Sequence, residues 1–259
     1  MTTVNRTAIT RAPSSSLTRC ELTYLERRPI DIDVALEQHR RYCDVLRALG
    51  VSVVSLPADD SLPDACFVED AALVLDEVAI LANPGAESRR GEIDTIGRAL
   101  EPYCRIERVA STATFDGGDV LRVGRTIYVG RAGRLARTND AGVEAIRGIA
   151  APLGYDVRAV PFDGCLHLQS AVTQVGPSTV IINPDWIDAA AFKPLTVVPV
   201  PAGEPHGANT LRVGATVLMP TSAPSTAATL RSLDYRVECL DISEFEKAEA
   251  GVTCLSILL

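Results

Sequence analysis

One unit of local structure recurs along this chain of 259 residues. In each unit a β-hairpin is followed by a helix and then by a further strand. Successive hairpins start at Phe67, Phe115, Leu166 and Ala208, which are 48, 51 and 42 residues apart. A fixed order of elements at such spacings is typical of a repeat architecture rather than of a two-layer α/β sheet.

A fifth unit is split between the two ends of the chain. A β-like run at 7–10 precedes a helical pattern at 33–49 and a strand at 51–56. The apolar segment 251–259 would supply the missing hairpin arm as a buried strand that carries Cys254. Five units closing head to tail would form one domain over residues 1–259, with loops from every unit meeting on its axis.

Composition narrows the range of partners. Hydrophobic residues are 47% and charged residues 22% of the chain, ordinary values for a globular protein. The net charge of −8 argues against nucleic acid and anionic membrane surfaces, and is compatible with a small cationic substrate. No apolar run approaches the roughly 20 residues needed to span a bilayer. Residues 1–16 are polar and lack the apolar core of a signal peptide, so we expect a cytoplasmic protein.

The cysteines give no sign of a structural framework. There are seven of them, scattered and without C-x-x-C pairs, so neither disulfides nor a zinc site is expected. The candidate bases are few, because the chain has three histidines: His39, His167 and His206.

Three side chains would form a nucleophilic site if the units close into a ring. They are Cys254 near the C-terminus, His167 at the start of the third hairpin, and Asp116 at the start of the second. Each has a common alternative explanation: free thiols and histidines between leucines usually belong to a core, and Asp-Gly-Gly-Asp is usually a turn. Equivalent positions of a repeat meet at its axis, however, so we expect a Cys–His–Asp arrangement there.

Further charged residues lie in segments that would face the same axis. Asp64, Glu69 and Asp70 surround the start of the first hairpin, and carboxylates there would bind a planar cation such as a guanidinium. Arg89 and Arg137 lie near helix starts, an unfavourable place for a cation. They suit the carboxylate of an amino-acid substrate, although solvated surface arginines are an equally common explanation.

Taken together, the segments around these residues strongly resemble those of the dimethylarginine dimethylaminohydrolases. This family belongs to the guanidine-modifying (pentein) superfamily, which also holds arginine deiminases and amidinotransferases. The resemblance runs in order from about residue 8 to the C-terminus. The segments that carry it are Phe67-Val68-Glu69-Asp70, Ser88-Arg89-Arg90-Gly91-Glu92, Phe115-Asp116-Gly117-Gly118-Asp119-Val120, Arg137-Thr138-Asn139, Leu166-His167-Leu168 and Val252-Thr253-Cys254.

The resemblance implies a five-bladed α/β propeller of pseudo-repeated ββαβ units around a central active site. It implies that Cys254 is the nucleophile, His167 the general acid and base, and Asp116 the residue that orients His167. It also implies hydrolysis of Nω-methylated arginine to citrulline and dimethylamine or methylamine, through a covalent thiouronium on the cysteine. No metal and no organic cofactor is implied.

The same resemblance assigns the substrate-binding positions. Glu69 and Asp70 would hold the guanidinium end of the substrate. Asp64, Arg89 and Arg137 would help to hold its amino-acid end. Leu22 and Ala248 would give backbone or lid contacts.

The chain departs from the family pattern in two places. Position 169 is Gln where relatives often carry lysine, and the segment 130–137 is longer than usual. Either Arg134 or Arg137 would therefore face the substrate. The alternatives are an arginine deiminase, an amidinotransferase or, in a different class, a non-catalytic binding protein for arginine-like cations. Oligomeric state stays open, with a homodimer as one option.

Overall fold

The computed structural model describes residues 7–132 and 137–259. Its strands are β1 (Thr7–Arg11), β2 (Ser52–Leu56), β3 (Ala72–Val74), β4 (Val78–Leu81), β5 (Arg105–Arg108), β6 (Val120–Val123), β7 (Thr126–Ala132), β8 (Asp156–Phe162), β9 (Val172–Gly176), β10 (Thr179–Ile182), β11 (Thr196–Pro199), β12 (Leu211–Val213), β13 (Thr216–Pro220), β14 (Arg236–Leu240) and β15 (Ile257–Leu258). Its α-helices are α1 (Ile32–Ala48), α2 (Ile93–Leu100), α3 (Asp140–Ala150), α4 (Leu168–Ala171), α5 (Pro224–Ser232) and α6 (Ser243–Glu246). Short 3-10 turns lie at Ser15–Arg19, Val68–Ala71, Glu87–Glu92, Gly117–Asp119, Ala151–Leu153, Ala189–Phe192, Pro205–Ala208 and Thr253–Leu255.

Within the described residues the strands form five separate three-stranded sheets, which confirms the predicted five-bladed α/β propeller. In chain order the blades are blade 1 (β15-β1-β2), blade 2 (β3-β4-β5), blade 3 (β6-β7-β8), blade 4 (β9-β10-β11) and blade 5 (β12-β13-β14). In each blade the middle strand is antiparallel to one neighbour and parallel to the other. Parallel pairing requires a crossover, which α1, α2, α3 and α5 supply in four blades. The 3-10 turn Ala189–Phe192 takes the place of the predicted helix in blade 4.

Blade 1 closes the ring by joining the two ends of the chain. β15 is antiparallel to β1, with Ala8 opposite Leu258 and Ile9 opposite Ile257. The prediction of a continuous C-terminal strand carrying Cys254 is wrong, because Cys254 lies in the turn Thr253–Leu255 before a two-residue strand. The buried Tyr42 hydroxyl contacts Val252 O at 3.0 Å and Ser256 Oγ at 2.7 Å, and so stabilises this turn.

A short turn or helix precedes the first hairpin arm of every blade within the described ranges. These segments are Val68–Ala71 before β3, Gly117–Asp119 before β6, α4 before β9, Pro205–Ala208 before β12, and Thr253–Leu255 before β15. We call them the axial turns. Four apolar clusters pack between neighbouring blades and under the helices. In the part of the chain that the structure describes, no helix is long and apolar enough to cross a membrane.

Candidate active site

The axial turns place candidate residues from different blades around one cavity. Asp70, His167 and Cys254 line this cavity. They come from the turns of blades 2, 4 and 1, and all three are buried. We call this space the substrate cavity. Four other expected residues also line it: Asp64, Arg89, Arg137 and Ala248.

His167 is held between two carboxylates. Its Nε2 lies 3.1 Å from Asp116 Oδ2, and its Nδ1 lies 3.6 Å from Asp70 Oδ1. Burial alone would lower the pKa of His167, but the charge of Asp70, the hydrogen bond to Asp116 and the charge of Asp119 raise it to about 9. The imidazole is therefore protonated at neutral pH, with both N–H groups directed at acids.

Asp116 lies behind His167 and is fully buried. Its Oδ1 accepts a hydrogen bond from the backbone N–H of Gly85 at 3.0 Å, while Oδ2 faces the imidazole. This contact keeps the carboxylate in one orientation. Asp116 is thus placed to orient His167 without itself lining the substrate cavity.

The paired glycines allow the turns of blades 2 and 3 to meet. A Cβ at Gly117 would lie 2.0 Å from the carbonyl oxygen of Glu69. A Cβ at Gly118 would lie 2.7 Å from Asp70 Oδ1 and 2.8 Å from His167 Nδ1. The Gly118 N–H donates to Asp70 Oδ1 at 3.1 Å, so this close approach also satisfies the carboxylate.

Arg89 is bound by protein acceptors on the side of Asp70 away from His167. It lies in the turn Glu87–Glu92, and its Nη1 is 2.5 Å from Asp70 Oδ2. Its Nε and Nη2 donate to Glu92 at 3.0 and 2.9 Å, and Nη2 also reaches Phe67 O at 3.1 Å. A substrate carboxylate would have to compete with these partners. Burial alone would raise the pKa of Asp70, but the charges of His167 and Arg89 lower it.

Cys254 is buried beside acidic groups. Burial, followed by the charges of Glu69 and Asp70, raises the pKa of its thiol above the ordinary value. The backbone N–H of Gly251 points at Sγ from 3.4 Å and is placed to donate to a thiolate. Without a bound cation the thiol of Cys254 is therefore protonated, and a cation bound next to it would favour its ionisation.

Glu69 lies outside the residues that line the substrate cavity. It accepts a hydrogen bond from Thr253 Oγ1 at 2.6 Å and lines a second, open space on the axis. We call this space the rear funnel. Its walls come from β3, β6, β9, β12 and β15, one strand from each blade. Burial raises the pKa of Glu69 to about 8.

The segment 20–25, which we call the strap, borders the substrate cavity. Glu21 lines the cavity, and its backbone N–H donates to both oxygens of Asp64 at 3.1 and 3.2 Å. Arg137 Nη2 donates to Thr23 Oγ1 at 3.0 Å. Leu22 is half-buried and packs against the apolar cluster that contains Ala248. Arg134, the alternative to Arg137, lies outside the described residues.

Asp70, Asp116 and His167 also offer ligand atoms within 4.8 Å of one another, the spacing of a metal site. A metal-binding imidazole must be neutral, however, and this one is cationic at neutral pH. The carboxylates are also occupied, by Arg89 and Gly118 at Asp70 and by Gly85 at Asp116. The donor set fits a proton-transfer site better than a metal centre.

Comparisons with known proteins agree with this geometry. The family model described as "N,N dimethylarginine dimethylhydrolase, eukaryotic" matches residues 23–198. An N(G),N(G)-dimethylarginine dimethylaminohydrolase of Streptomyces coelicolor is 42% identical over 98% of this chain and 97% of its own. The chain belongs to the dimethylarginine dimethylaminohydrolase family. The expectation drawn from the sequence motifs is confirmed.

Solved structures of the dimethylarginine dimethylaminohydrolase family superpose closely on this chain. The Pseudomonas aeruginosa enzyme, as a cysteine-to-serine mutant complexed with citrulline, gives a TM-score of 0.93 at 31% identity, with 98% of each chain covered. A histidine-to-glycine variant in an adduct with S-methyl-L-thiocitrulline gives 0.92. The N-terminal domain of a cyanobacterial arginine dihydrolase has a TM-score of 0.87 at 18% identity and shares the fold.

Several residues that hold this site together were not predicted from the sequence. Glu92 pairs with Arg89 from three residues away, a spacing typical of helical ion pairs. Asn209 follows the hairpin start at Ala208 just as Asp116 follows Phe115, so the repeat could have revealed it. Glu249 gave no local signal, because the amides it binds are more than 200 residues away.

Proposed function

We propose that this chain hydrolyses the guanidinium group of Nω-methylated L-arginine, giving citrulline and dimethylamine or methylamine. The observation that carries the proposal is the convergence of Cys254, His167 and Asp70 on one cavity in a member of this family. The relatives named above carry the same activity in their names, and one of them was crystallised with citrulline.

The substrate would lie with its guanidinium between Asp70 and Cys254 and its amino-acid end toward the strap. Asp70 is ionised, since its pKa is lowered, and it is the carboxylate next to the thiol in the cavity. At the other end, Arg137 is the cation for the α-carboxylate, and Asp64 and the strap backbone near Leu22 and Ala248 border the α-amino group. Arg89 contributes chiefly by holding Asp70 in place.

Attack begins once the bound cation favours the thiolate of Cys254, whose proton is released to solvent because His167 is already protonated. The sulfur attacks the guanidinium carbon, and the Gly251 N–H steadies the sulfur from 3.4 Å. The Nδ1–H of His167 is the proton for the leaving amine, because its 3.6 Å separation from Asp70 exceeds normal hydrogen-bond length. Loss of the amine leaves a thiouronium on Cys254.

Hydrolysis reverses the role of His167. Now neutral, the imidazole takes a proton from water while the water oxygen attacks the thiouronium carbon. The C–S bond breaks, and citrulline and the Cys254 thiolate are released. Asp116, at 3.1 Å from Nε2, stabilises the imidazolium form at both stages.

Parallel assays of citrulline release from asymmetric dimethylarginine, monomethylarginine and arginine test the proposal. We expect turnover of the methylated substrates and a loss of about 10³-fold or more in Cys254→Ser. Turnover of arginine instead would assign the chain to the deiminases, and transfer to an amine acceptor would assign it to the amidinotransferases. Ligand binding without turnover by the wild type would support a binding protein.

Two further expectations belong to this proposal. We expect a cytoplasmic location, which is measured by cell fractionation. Homodimerisation is measured by sedimentation of the purified chain. Neither changes the chemistry assigned to the substrate cavity.

A further inference from the structure

The residue before the nucleophile is held by side chains from two other blades. The backbone N–H of Thr253 donates to Asn209 Oδ1 at 3.2 Å, and its Oγ1 accepts from Asn209 Nδ2 at 3.0 Å. The same hydroxyl donates to Glu69 Oε2 at 2.6 Å. Asn209 precedes β12 of blade 5 and Glu69 precedes β3 of blade 2, so three axial segments meet behind Cys254.

The amide of Asn209 has a fixed orientation. Its Nδ2 also donates to Gln169 O at 3.1 Å, so both amide hydrogens have acceptors. A Cβ at Gly251 would lie 2.2 Å from Asn209 Oδ1, which shows that the amide packs flat against the backbone leading to Cys254. Gly251 is also the residue whose N–H points at Sγ.

This orientation fixes the proton of Thr253. Since an amide NH₂ can only donate, the hydroxyl accepts from Asn209 and its own hydrogen is directed at Glu69, with which it makes the 2.6 Å contact. A lone pair of Oγ1 then remains for the thiol, 3.9 Å away. Asn209 thus determines both the position of the turn and the direction of the hydroxyl next to the nucleophile.

Glu69 reaches this group from the rear funnel and not from the substrate cavity. A protonated carboxyl still has an oxygen that accepts from Thr253, and burial keeps Glu69 protonated up to a pH of about 8 by raising its pKa. Its contact with Thr253 therefore does not require a negative charge.

We propose that Asn209, Thr253 and Glu69 form a clamp that positions Cys254 for attack, with Asn209 as the member that sets its geometry. The inference rests on the proposed function and adds positioning residues to it. A shift of about 1 Å in a reacting atom can reduce a rate by about 100-fold, so loss of the clamp should lower kcat rather than weaken binding.

Matched variants of Thr253 and Asn209 test the clamp. Thr253→Val removes the hydroxyl at constant shape, Thr253→Ser keeps it, and Asn209→Ala removes the amide. Thr10→Val is the control, because Thr10 is an equally buried threonine of β1 whose hydroxyl contacts Cys43 Sγ at 3.7 Å and Ser55 Oγ at 3.3 Å and bonds to no member of the clamp. Circular dichroism and thermal melts establish that each variant is folded.

We expect kcat to fall roughly 10- to 100-fold in Thr253→Val and Asn209→Ala, with KM within about threefold of wild type. Thr253→Ser should stay within about threefold in kcat, and so should Thr10→Val even where its melting temperature falls. Equal losses in Thr253→Ser and Thr253→Val, or an equal loss in Thr10→Val, would refute the clamp.

A measurement that does not depend on substrate turnover can test the clamp even if the proposed function is wrong. We would compare inactivation of Cys254 by 2-chloroacetamidine, a cation, with inactivation by neutral 2-chloroacetamide. The ratio of the two rates reports where Sγ lies relative to the cation site. It should fall at least about tenfold in Thr253→Val and Asn209→Ala and persist in Thr253→Ser and Thr10→Val. An unchanged ratio in all four variants would refute the clamp, whatever the substrate.

Discussion

Acidic residues of this site are paired with positively charged side chains of the protein itself. Acidic side chains crowded on the axis would repel one another if they were alone, and from the sequence a bound cation was the expected remedy. The structure supplies two cations of its own, Arg89 against Asp70 and protonated His167 against Asp70 and Asp116. The bound substrate therefore adds a further cation to an acidic site that is already largely paired.

Gly118 is the residue at which this packing is tightest. We expect Gly118→Ala to lower kcat by at least about 100-fold, because the added methyl group overlaps both Asp70 Oδ1 and His167 Nδ1. The measurement is the steady-state rate on dimethylarginine together with a thermal melt.

Gly148→Ala is the matched control for this prediction. Gly148 lies in α3 with nothing within 4 Å of the added carbon, and alanine at an exposed helical position stabilises by about 0.5–1 kcal/mol. A Gly118→Ala enzyme with wild-type kcat would mean that the turns of blades 2 and 3 can separate without affecting catalysis.

At the scale of elements, one carboxylate binds the backbone of the second half of the strap. Glu249 accepts hydrogen bonds from the backbone N–H groups of Thr23, Tyr24 and Leu25, at 2.5–3.0 Å. Its own backbone is left-handed, with φ of 60°, which is uncommon for a residue other than glycine. The backbone of residues 23–25 is thus held by a side chain from the segment just before the nucleophile, whereas Asp64 holds Glu21.

We expect Glu249→Gln to loosen the strap and raise KM by roughly tenfold, with less effect on kcat. Hydrogen bonds to a charged acceptor contribute about 1.5–3 kcal/mol, and the amide offers one neutral oxygen in place of the carboxylate. Hydrogen exchange at residues 20–25 should accelerate in parallel. Glu246→Gln, a neighbouring carboxylate bonded to Ser222, is the control, and equal exchange in both variants would contradict the anchor.

Elements and blades were predictable from the sequence because each rests on local patterns. Hairpins alternate and helices have an apolar face, so the repeat is visible, and it locates Asp116 and His167 at equivalent positions. The turn at Thr253–Leu255 was not predictable, because its apolar residues favour a strand and the contacts of Tyr42 that hold it are tertiary. For the same reason the sequence showed neither the partners of Arg89 nor the reach of Glu249 to the strap.

At the scale of the whole molecule, His167 connects three blades. The imidazole comes from blade 4, Asp116 from blade 3 and Asp70 from blade 2. Protonation of this one ring therefore strengthens contacts between blades as well as preparing the acid for catalysis. The stability of the propeller should depend on pH through the same group.

The sign of that dependence follows from the raised pKa of His167. Its pKa is about 9 in the folded chain and 6.5 in the unfolded one, so its contribution is fully present below pH 6.5 and is lost as pH rises through 9. The shift corresponds to about 3 kcal/mol in the free energy of unfolding.

We expect the difference in this free energy between wild type and His167→Gln to shrink by about that amount from pH 6.5 to 9.5, measured by urea unfolding at four pH values. Glu69 has a pKa of about 8 that the charge of His167 lowers, so the change in the difference belongs to His167 together with its acidic neighbours. His206→Gln is the control: burial lowers the pKa of His206, so that histidine is neutral throughout the range and its replacement should leave the slope unchanged. A constant difference between wild type and His167→Gln would mean that the imidazolium does not bind the three blades together, and that His167 acts in catalysis alone.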